Sequence, residues 1–150
     1  MNDDFELVDT VYMNICKRVE KDVRQKISME ERNIVLIWDA IGLIGNGGFQ
    51  WYLRGEMAWT DAPNAFIAIG VPEVTDAFQS ILSLYPNDTP FADDKQRMTV
   101  ISKFQEEHSD QYDKLNKTVW SSKDRVVTKT AEYIRRHPEL LKMTAEDCPP

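Results

Sequence analysis

One stretch of the chain decides the fold: Ile37-Trp38-Asp39-Ala40-Ile41-Gly42-Leu43-Ile44-Gly45-Asn46-Gly47-Gly48-Phe49-Gln50-Trp51-Tyr52-Leu53. An apolar helix runs into Asn46-Gly47-Gly48, and Asn and Gly are the residues that tolerate the left-handed backbone found at helix ends. A short aromatic segment then leaves in a new direction. The stretch predicts a buried helix followed by a tight structural corner. The structural corner comprises Asn46, Gly47, Gly48, Phe49, Gln50 and Trp51.

Upstream of the corner, the sequence predicts where the buried helix begins. Ser28-Met29-Glu30-Glu31 is a capping box, in which Ser28 accepts from the amide of Glu31 and the Glu31 side chain accepts from the amide of Ser28. Apolar residues cover more than half of the helix that follows, so we expect it to be the most buried one. Before it, apolar residues at every third or fourth position predict an amphipathic helix over residues 4–27.

Downstream of the corner, the sequence predicts short helices first and longer ones later. Asp61 is a candidate N-cap for a helix over about residues 62–69. A proline then opens a helix over residues 72–85. Apolar residues at heptad spacing from Met98 to Val119 predict one long helix, and a last helix is predicted over about residues 123–136.

No part of the sequence alternates apolar and polar residues as a half-buried strand does. With 150 residues, 42% of them apolar, the chain is long enough to bury a core of its own. We therefore predict an all-α protein that forms a single compact domain over residues 1–150. It should contain about six or seven helices with a buried central helix, and a disordered tail over residues 144–150.

The sequence also favours one compartment. The N terminus is acidic, whereas a secretory signal is basic and then apolar. The longest apolar run, Ile34–Trp38, is far shorter than the roughly 20 residues that cross a bilayer. Cys16 and Cys148 lie near opposite ends and form no Cys-x-x-Cys pair. We expect a cytoplasmic protein with no membrane partner.

Charge is distributed unevenly along the chain. The net charge is −7, and residues 55–94 contain no Lys or Arg. Such a span creates a local negative potential if its acids share a face, which disfavours direct binding of nucleic acid and favours a basic protein as partner. The acids of this span are the candidate partner-binding residues: Glu56, Asp61, Glu73, Asp76, Asp88, Asp93 and Asp94.

The sequence shows no catalytic or metal-binding constellation. His108 lies on the predicted apolar stripe and His137 precedes the proline that ends the last helix, so both are expected to be structural. Glu107 is adjacent to His108 and points in a different direction on a helix, which does not suit a shared metal ion. The glycines of the corner follow a helix and precede no lysine, unlike those of phosphate-binding loops. We expect no catalysis, no metal and no cofactor.

Large side chains continue beyond the corner at Trp51, Tyr52, Met57 and Trp59. Packing in the core is the usual arrangement of such residues and is the one expected here. A partly exposed aromatic rim at an interface is the alternative, since Trp and Tyr are enriched at binding hot spots.

At Asn46-Gly47-Gly48-Phe49-Gln50-Trp51-Tyr52 the chain resembles the DNA-mimic protein (DMP-type) domain family. The resemblance continues in Ala65-Phe66-Ile67-Ala68-Ile69-Gly70 and in the helix that ends at Tyr85-Pro86, and it covers about residues 30–120. It implies an all-α fold without known catalysis. It also implies, from the acidic members that gave the family its name, surface carboxylates that imitate DNA phosphates and occupy a DNA-binding protein. Members often carry an acid just before Asn-Gly-Gly, where this chain has Gly42-Leu43-Ile44-Gly45.

These observations lead to two hypotheses of different classes. The first is a non-enzymatic, acidic interaction protein whose partner is a basic protein, either a DNA-binding regulator or a toxin. With a toxin as partner, the chain would act as an immunity or antitoxin-type protein. The second is a small-ligand-binding or enzymatic domain with a pocket near the corner, lined by Asn46, Gln50, Trp51 and His108. The sequence leaves homodimerisation open.

Overall fold

Helices form the regular secondary structure of this protein. The computed structural model describes residues 3–21, 27–54, 61–85 and 93–142, except for the side chains of Lys21 and Asp94. These residues form eight α-helices, one 3-10 helix and no strand, which confirms the all-α prediction. The helices are α1 (Asp3–Lys21), α2 (Met29–Gly47), α3 (Phe49–Tyr52), α4 (Ala62–Ile69), α5 (Pro72–Leu82), α6 (Asp94–Glu107), α7 (Ser109–Ser121) and α8 (Lys123–Arg136). The 3-10 helix covers Pro138–Leu141. The predicted disordered tail lies outside the described residues.

The start of α2 is fixed by the predicted capping box. Ser28 Oγ accepts from the amide of Glu31 and Glu31 Oε1 accepts from the amide of Ser28, each at 3.1 Å. The Glu31 carboxylate also forms an ion pair with Arg18 of α1. The first turn of α2 is therefore fixed by its own sequence and by the neighbouring helix.

α2 lies at the centre of the fold, because it packs against α1, α3, α4 and α7. The expectation that it is the most buried helix is wrong when burial is measured as the fraction of its residues that are buried. Seven of its 19 residues are buried, against six of 11 in α5. One face of α2 remains open, and Gly42, Gly45 and Asn46 lie exposed on it.

The first helix packs against the last α-helix. α1 lies against both α2 and α8 and buries Val8, Val11 and Ile15. At its N-terminal end, Asp4 forms an ion pair with Arg135 of α8 at 2.6 Å. The two ends of the described chain are thus in contact.

The short helices are joined by aromatic side chains around Phe78 of α5. Phe49 and Tyr52 of α3 meet its ring edge-on, with centroids 5.0 and 5.3 Å away. Phe66 of α4 stacks on it at 5.6 Å. Edge-to-face and offset-stacked rings are the favourable geometries. This cluster fixes α3, which has only four residues, against the rest of the core.

The predicted long helix from Met98 to Val119 is in fact two helices, which accounts for the eighth. His108 leaves the helical region, with φ −124° and ψ 33°, and separates α6 from α7. After this break α7 packs against α2 and α5, and the Tyr112 hydroxyl makes a buried 2.8 Å hydrogen bond with the Tyr85 hydroxyl. The apolar spacing continues through the break, so periodicity alone could not show it.

Candidate functional site

The structural corner is closely packed, as the sequence predicts. Gly48 has φ +76°, in the region that favours glycine, and its amide donates to the Ile44 carbonyl at 2.8 Å. The amide of Phe49 donates to Oδ1 of the buried Asn116 on α7 at 2.9 Å. A Cβ on Gly47 would lie 2.2 Å from the Trp51 ring. The corner therefore joins α2, α3 and α7 in close contact.

The aromatic residues that follow the corner divide between core and surface. Tyr52 is fully buried, whereas Trp51 is 50% exposed. A second tryptophan lies at the same end of α2: Trp120 is 49% exposed and its indole Nε1 donates to the Ile44 carbonyl at 3.0 Å. Trp51 therefore does not pack fully in the core, and Trp120 is a second partly exposed aromatic residue at this end of α2. Met57 and Trp59 lie outside the described residues.

Two of the predicted partner-binding acids are paired within the chain. Asp61 forms an ion pair with Arg32 of α2 and does not cap α4 through its side chain. Glu73 of α5 forms an ion pair with Arg125 of α8, which also donates to the Gly70 carbonyl at 3.2 Å. These two carboxylates connect helices, and their charge is partly neutralised by the arginines.

The other described acids of the predicted set, Asp76 and Asp93, lie at different helices. Asp76 is exposed on α5, one turn after Glu73. Asp93 is exposed and caps α6, accepting from the amide of Gln96 at 2.9 Å. Glu56, Asp88 and the side chain of Asp94 lie outside the description. Glu73 and Asp76 of this span lie on the same helix, α5.

A groove runs along the open face of α2 and beside α1. Its volume is about 480 Å³. Phe5 and Tyr12 of α1 form one wall, and Trp38, Asp39 and the α2 glycines form the other side. The rings of Phe5 and Trp38 lie 5.2 Å apart, and Trp38 Nε1 donates to Asp9 at 3.0 Å. Asn46 and Lys123 line the end nearest the corner.

The polar centre of the groove is a carboxylate with a phenol partner. The Tyr12 hydroxyl donates to Asp39. Burial raises the pKa of Asp39 above its ordinary value, while the hydrogen bond from Tyr12 opposes that rise. Burial, followed by the hydrogen bond and charge of Asp39, raises the pKa of Tyr12. Tyr12 therefore stays a proton donor at neutral pH.

The four residues proposed to line a pocket near the corner are not gathered in one place. Asn46 lines the groove. The Gln50 side chain folds back toward Gly48, and Trp51 lies against Gly47. The His108 ring packs on Phe104, with centroids 5.9 Å apart. Of these four residues, Asn46 alone is among the described residues that line the groove.

The histidines and the possible metal ligands have structural surroundings. His137 lies over Tyr133, with ring centroids 4.3 Å apart, and its Nδ1 donates to the Tyr133 carbonyl at 2.8 Å. Within the described ranges, no three His, Cys, Asp or Glu side chains come together as a metal site would require. No helix in those ranges has the length and apolar character needed to cross a membrane.

Sequence reasoning missed the groove and, apart from Asn46, the residues that line it. Asp39 is the one acid within the apolar segment of α2, and Gly42 and Gly45 interrupt that segment before the corner begins. The acid and the two glycines in an otherwise apolar segment were a sequence signal for an open face on α2. The partner of Asp39, Tyr12, lies 27 residues away, so its contribution appears only in the fold.

The fold and its sites define an all-α protein with a packed corner at one end of its central helix and an open groove on that helix. The family model described as DMP19-like protein matches residues 25–137, and the chain belongs to this family. The match confirms the resemblance and extends it in both directions; α1 lies ahead of it. No curated protein and no solved structure shows a significant match to the chain.

Proposed function

We propose that this protein is a non-enzymatic, acidic interaction protein of the cytoplasm whose partner is a basic protein. The net charge of −7 and the cation-free span over residues 55–94 support it. Of the described acids in that span, Asp76 and Asp93 are exposed and have no arginine partner among the described residues. A surface of this sign attracts a basic partner over a distance of about 10 Å at moderate salt.

The observation that carries the proposal is the pair of half-exposed tryptophans at the end of α2. Trp120 is held by its hydrogen bond to Ile44, and Trp51 lies against Gly47. Tryptophans are enriched among the residues that dominate binding energy. A side chain that is already held in place loses little conformational freedom when a partner covers it. Trp51 and Trp120 are therefore suited to be the apolar anchors of an interface.

Charge and anchors have separate roles in this proposal. Exposed carboxylates such as Asp76 raise the association rate and select a basic partner. The tryptophans supply affinity, because they exclude water from a larger apolar area. Asp61 and Glu73 contribute less, since each is already paired with an arginine.

Two kinds of basic partner fit this surface. A DNA-binding regulator would make the protein a DNA mimic, and DNA would then compete for the same partner. A toxin would make it an immunity or antitoxin-type protein, and binding would then abolish the activity of the toxin. Competition by a DNA duplex distinguishes the two.

The test begins with capture of the partner and its identification by mass spectrometry, followed by measurement with the purified pair. Affinity should fall about tenfold or more when salt is raised from about 50 to about 300 mM. Trp51→Ala and Trp120→Ala should each weaken binding by roughly 10- to 100-fold. Asp76→Lys should slow association and leave the fold intact.

The matched control for Asp76→Lys is Glu20→Lys, which makes the same charge change at an exposed position of α1. It should leave association nearly unchanged. An affinity that is independent of salt and insensitive to both tryptophan substitutions would contradict the proposal. Equal effects of the two charge reversals would show that net charge alone, and not the α5 surface, attracts the partner.

A small-ligand site is the second candidate function. The groove favours it, because its volume of about 480 Å³ lies within the range of small-molecule sites.

A further inference from the structure

The floor of the groove contains glycines that nothing in the fold requires. Gly42 and Gly45 lie inside α2, and a Cβ on either would meet nothing within 4 Å. Glycine weakens a helix interior relative to alanine. Neither close packing nor a positive φ accounts for glycine at these positions. What the two glycines provide is a strip of helix surface without side chains, which a bound molecule can approach closely.

The wall of the groove contains groups that attract a positively charged ligand. Asp39 precedes Gly42 by three residues and so lies on the same face of α2. Its carboxylate accepts from Tyr12, and no cation pairs with it among the described residues. The rings of Phe5 and Trp38 line the same groove and contact each other. A carboxylate next to aromatic faces is an arrangement that attracts organic cations, through charge and through the ring quadrupoles.

Lys123 is the one base among the described residues that line the groove, and it lies away from this carboxylate along α2. Lys123 follows Trp120 by three residues, and Trp120 is bonded to Ile44 near the C-terminal end of α2. Asn46 marks the same end, about 10 Å from Asp39 at the rise of an α-helix. The groove is therefore negative at its Asp39 end, basic at its Asn46 and Lys123 end and apolar between them.

We propose that this groove is a binding site for a small organic cation, an ammonium or guanidinium group on an apolar stem. The cationic group pairs with Asp39, and the contacting rings of Phe5 and Trp38 form the aromatic wall of the same groove. The stem lies on the side-chain-free strip at Gly42 and Gly45 and points toward Asn46. The volume of about 480 Å³ accommodates a ligand of this kind. The site needs no protein partner, so it stands or falls independently of the interaction surface at Trp51 and Trp120.

The experiment titrates the full chain with 2-phenylethylammonium and follows binding by calorimetry and by amide and indole NMR signals. Two matched probes keep the same ring and a similar length: neutral 2-phenylethanol and anionic 3-phenylpropionate. Saturable binding of the ammonium is expected, with the Trp38 indole and the Gly42 and Gly45 amides shifting most. The neutral and anionic probes should bind at least about tenfold more weakly. Equal binding of the three probes, or shifts confined to other regions, would overturn the proposal.

Two variants locate the site. Asp39→Asn retains the size and an acceptor for Tyr12 but removes the charge, and should weaken ammonium binding at least about tenfold. Gly42→Leu fills the floor of the groove and should abolish binding, while the unfolding temperature stays equal or rises because leucine favours helix. Asp113→Asn, at an exposed position of α7, is the charge-matched control and should bind like the wild type. Wild-type affinity in folded Asp39→Asn contradicts the proposal even if Gly42→Leu proves unstable.

Discussion

Four glycines lie in the seven residues from Gly42 to Gly48 at the C-terminal end of α2, and they have two opposite kinds of surroundings. Gly47 and Gly48 are surrounded: a Cβ on either would lie less than 3 Å from side chains of Trp51, Gln50 or Asn116. Gly42 and Gly45 face open space. The first pair is required by the fold, whereas the second pair costs the fold stability and leaves a surface free. Residue type alone does not distinguish the two uses, because the difference lies in what packs beside each glycine.

The largest expected effect on stability comes from substituting the surrounded glycines, Gly47 and Gly48. Gly48→Val places a β-branched residue at φ +76° and against Asn116. The backbone strain and the overpacking together should lower the free energy of unfolding by about 3–5 kcal/mol. Chemical denaturation monitored by circular dichroism measures it. Gly47→Val should be milder, because the Trp51 ring that it meets is half exposed and can move. An effect of Gly48→Val below about 1 kcal/mol would mean that the corner is not the rigid element described above.

A smaller loss is expected when the support of the corner is removed. Asn116→Ala deletes the buried acceptor of the Phe49 amide. Because that amide is then left without a partner, the free energy of unfolding should fall by about 1–3 kcal/mol. The exposed Asn64→Ala, made in parallel and measured by the same denaturation, should change it by less than about 0.5 kcal/mol. Equal values for both variants would show that the bond from α7 contributes nothing to the corner.

Substituting Gly42 or Gly45, which face open space, should instead raise the stability of the protein. Gly42→Ala and Gly45→Ala each replace a helix-interior glycine where the added methyl group meets nothing, so each should raise the free energy of unfolding by about 0.5–1 kcal/mol. Thermal and chemical denaturation both report it. Destabilisation by either alanine would remove the contrast between the two pairs.

The smallest effect concerns pH and the carboxylate beside the open pair. Because the pKa of Asp39 is raised in the folded protein, the folded state holds that proton more tightly than the unfolded state does. This contribution is fully present below the unfolded pKa of about 4 and is lost as pH rises through the folded value. Asp39→Asn lacks it, so the stability of the wild type relative to this variant should fall as pH rises above about 4. A relative stability that does not change with pH would place Asp39 in ordinary solvent.

The parts of the fold that depend on residues close together in sequence were predictable. The capping box at Ser28 and Glu31 and the corner glycines act within a few residues, and both appear as the sequence predicts. The break at His108 was not predictable, because the helix is interrupted where α7 turns to pack on other helices while the apolar spacing continues. Asp61 was expected to cap α4, but Arg32, 29 residues away, binds its carboxylate.

The candidate sites were harder to predict than the fold for the same reason. The corner was visible because its glycines and aromatic residues are adjacent in sequence. Trp120 was missed because it reaches the end of α2 from a residue 76 positions away. The groove was missed because Tyr12 and Asp39 become neighbours only when α1 packs on α2. Sites made within one segment can be read from the sequence, and sites made between segments need the tertiary structure.

The packing of α1 against α8 has a consequence for the order in which the molecule is made. The ion pair between Asp4 and Arg135 joins residues 131 positions apart. A ribosome adds roughly 5–20 residues per second, so α1 emerges several seconds before the helix that completes its packing. Contacts between distant residues also carry the largest loop-closure cost. Phe5 and Tyr12 of the groove belong to α1. Because α1 and α2 follow each other in sequence, the groove between them can form early, whereas the contact of α1 with α8 can form only after α8 has been made.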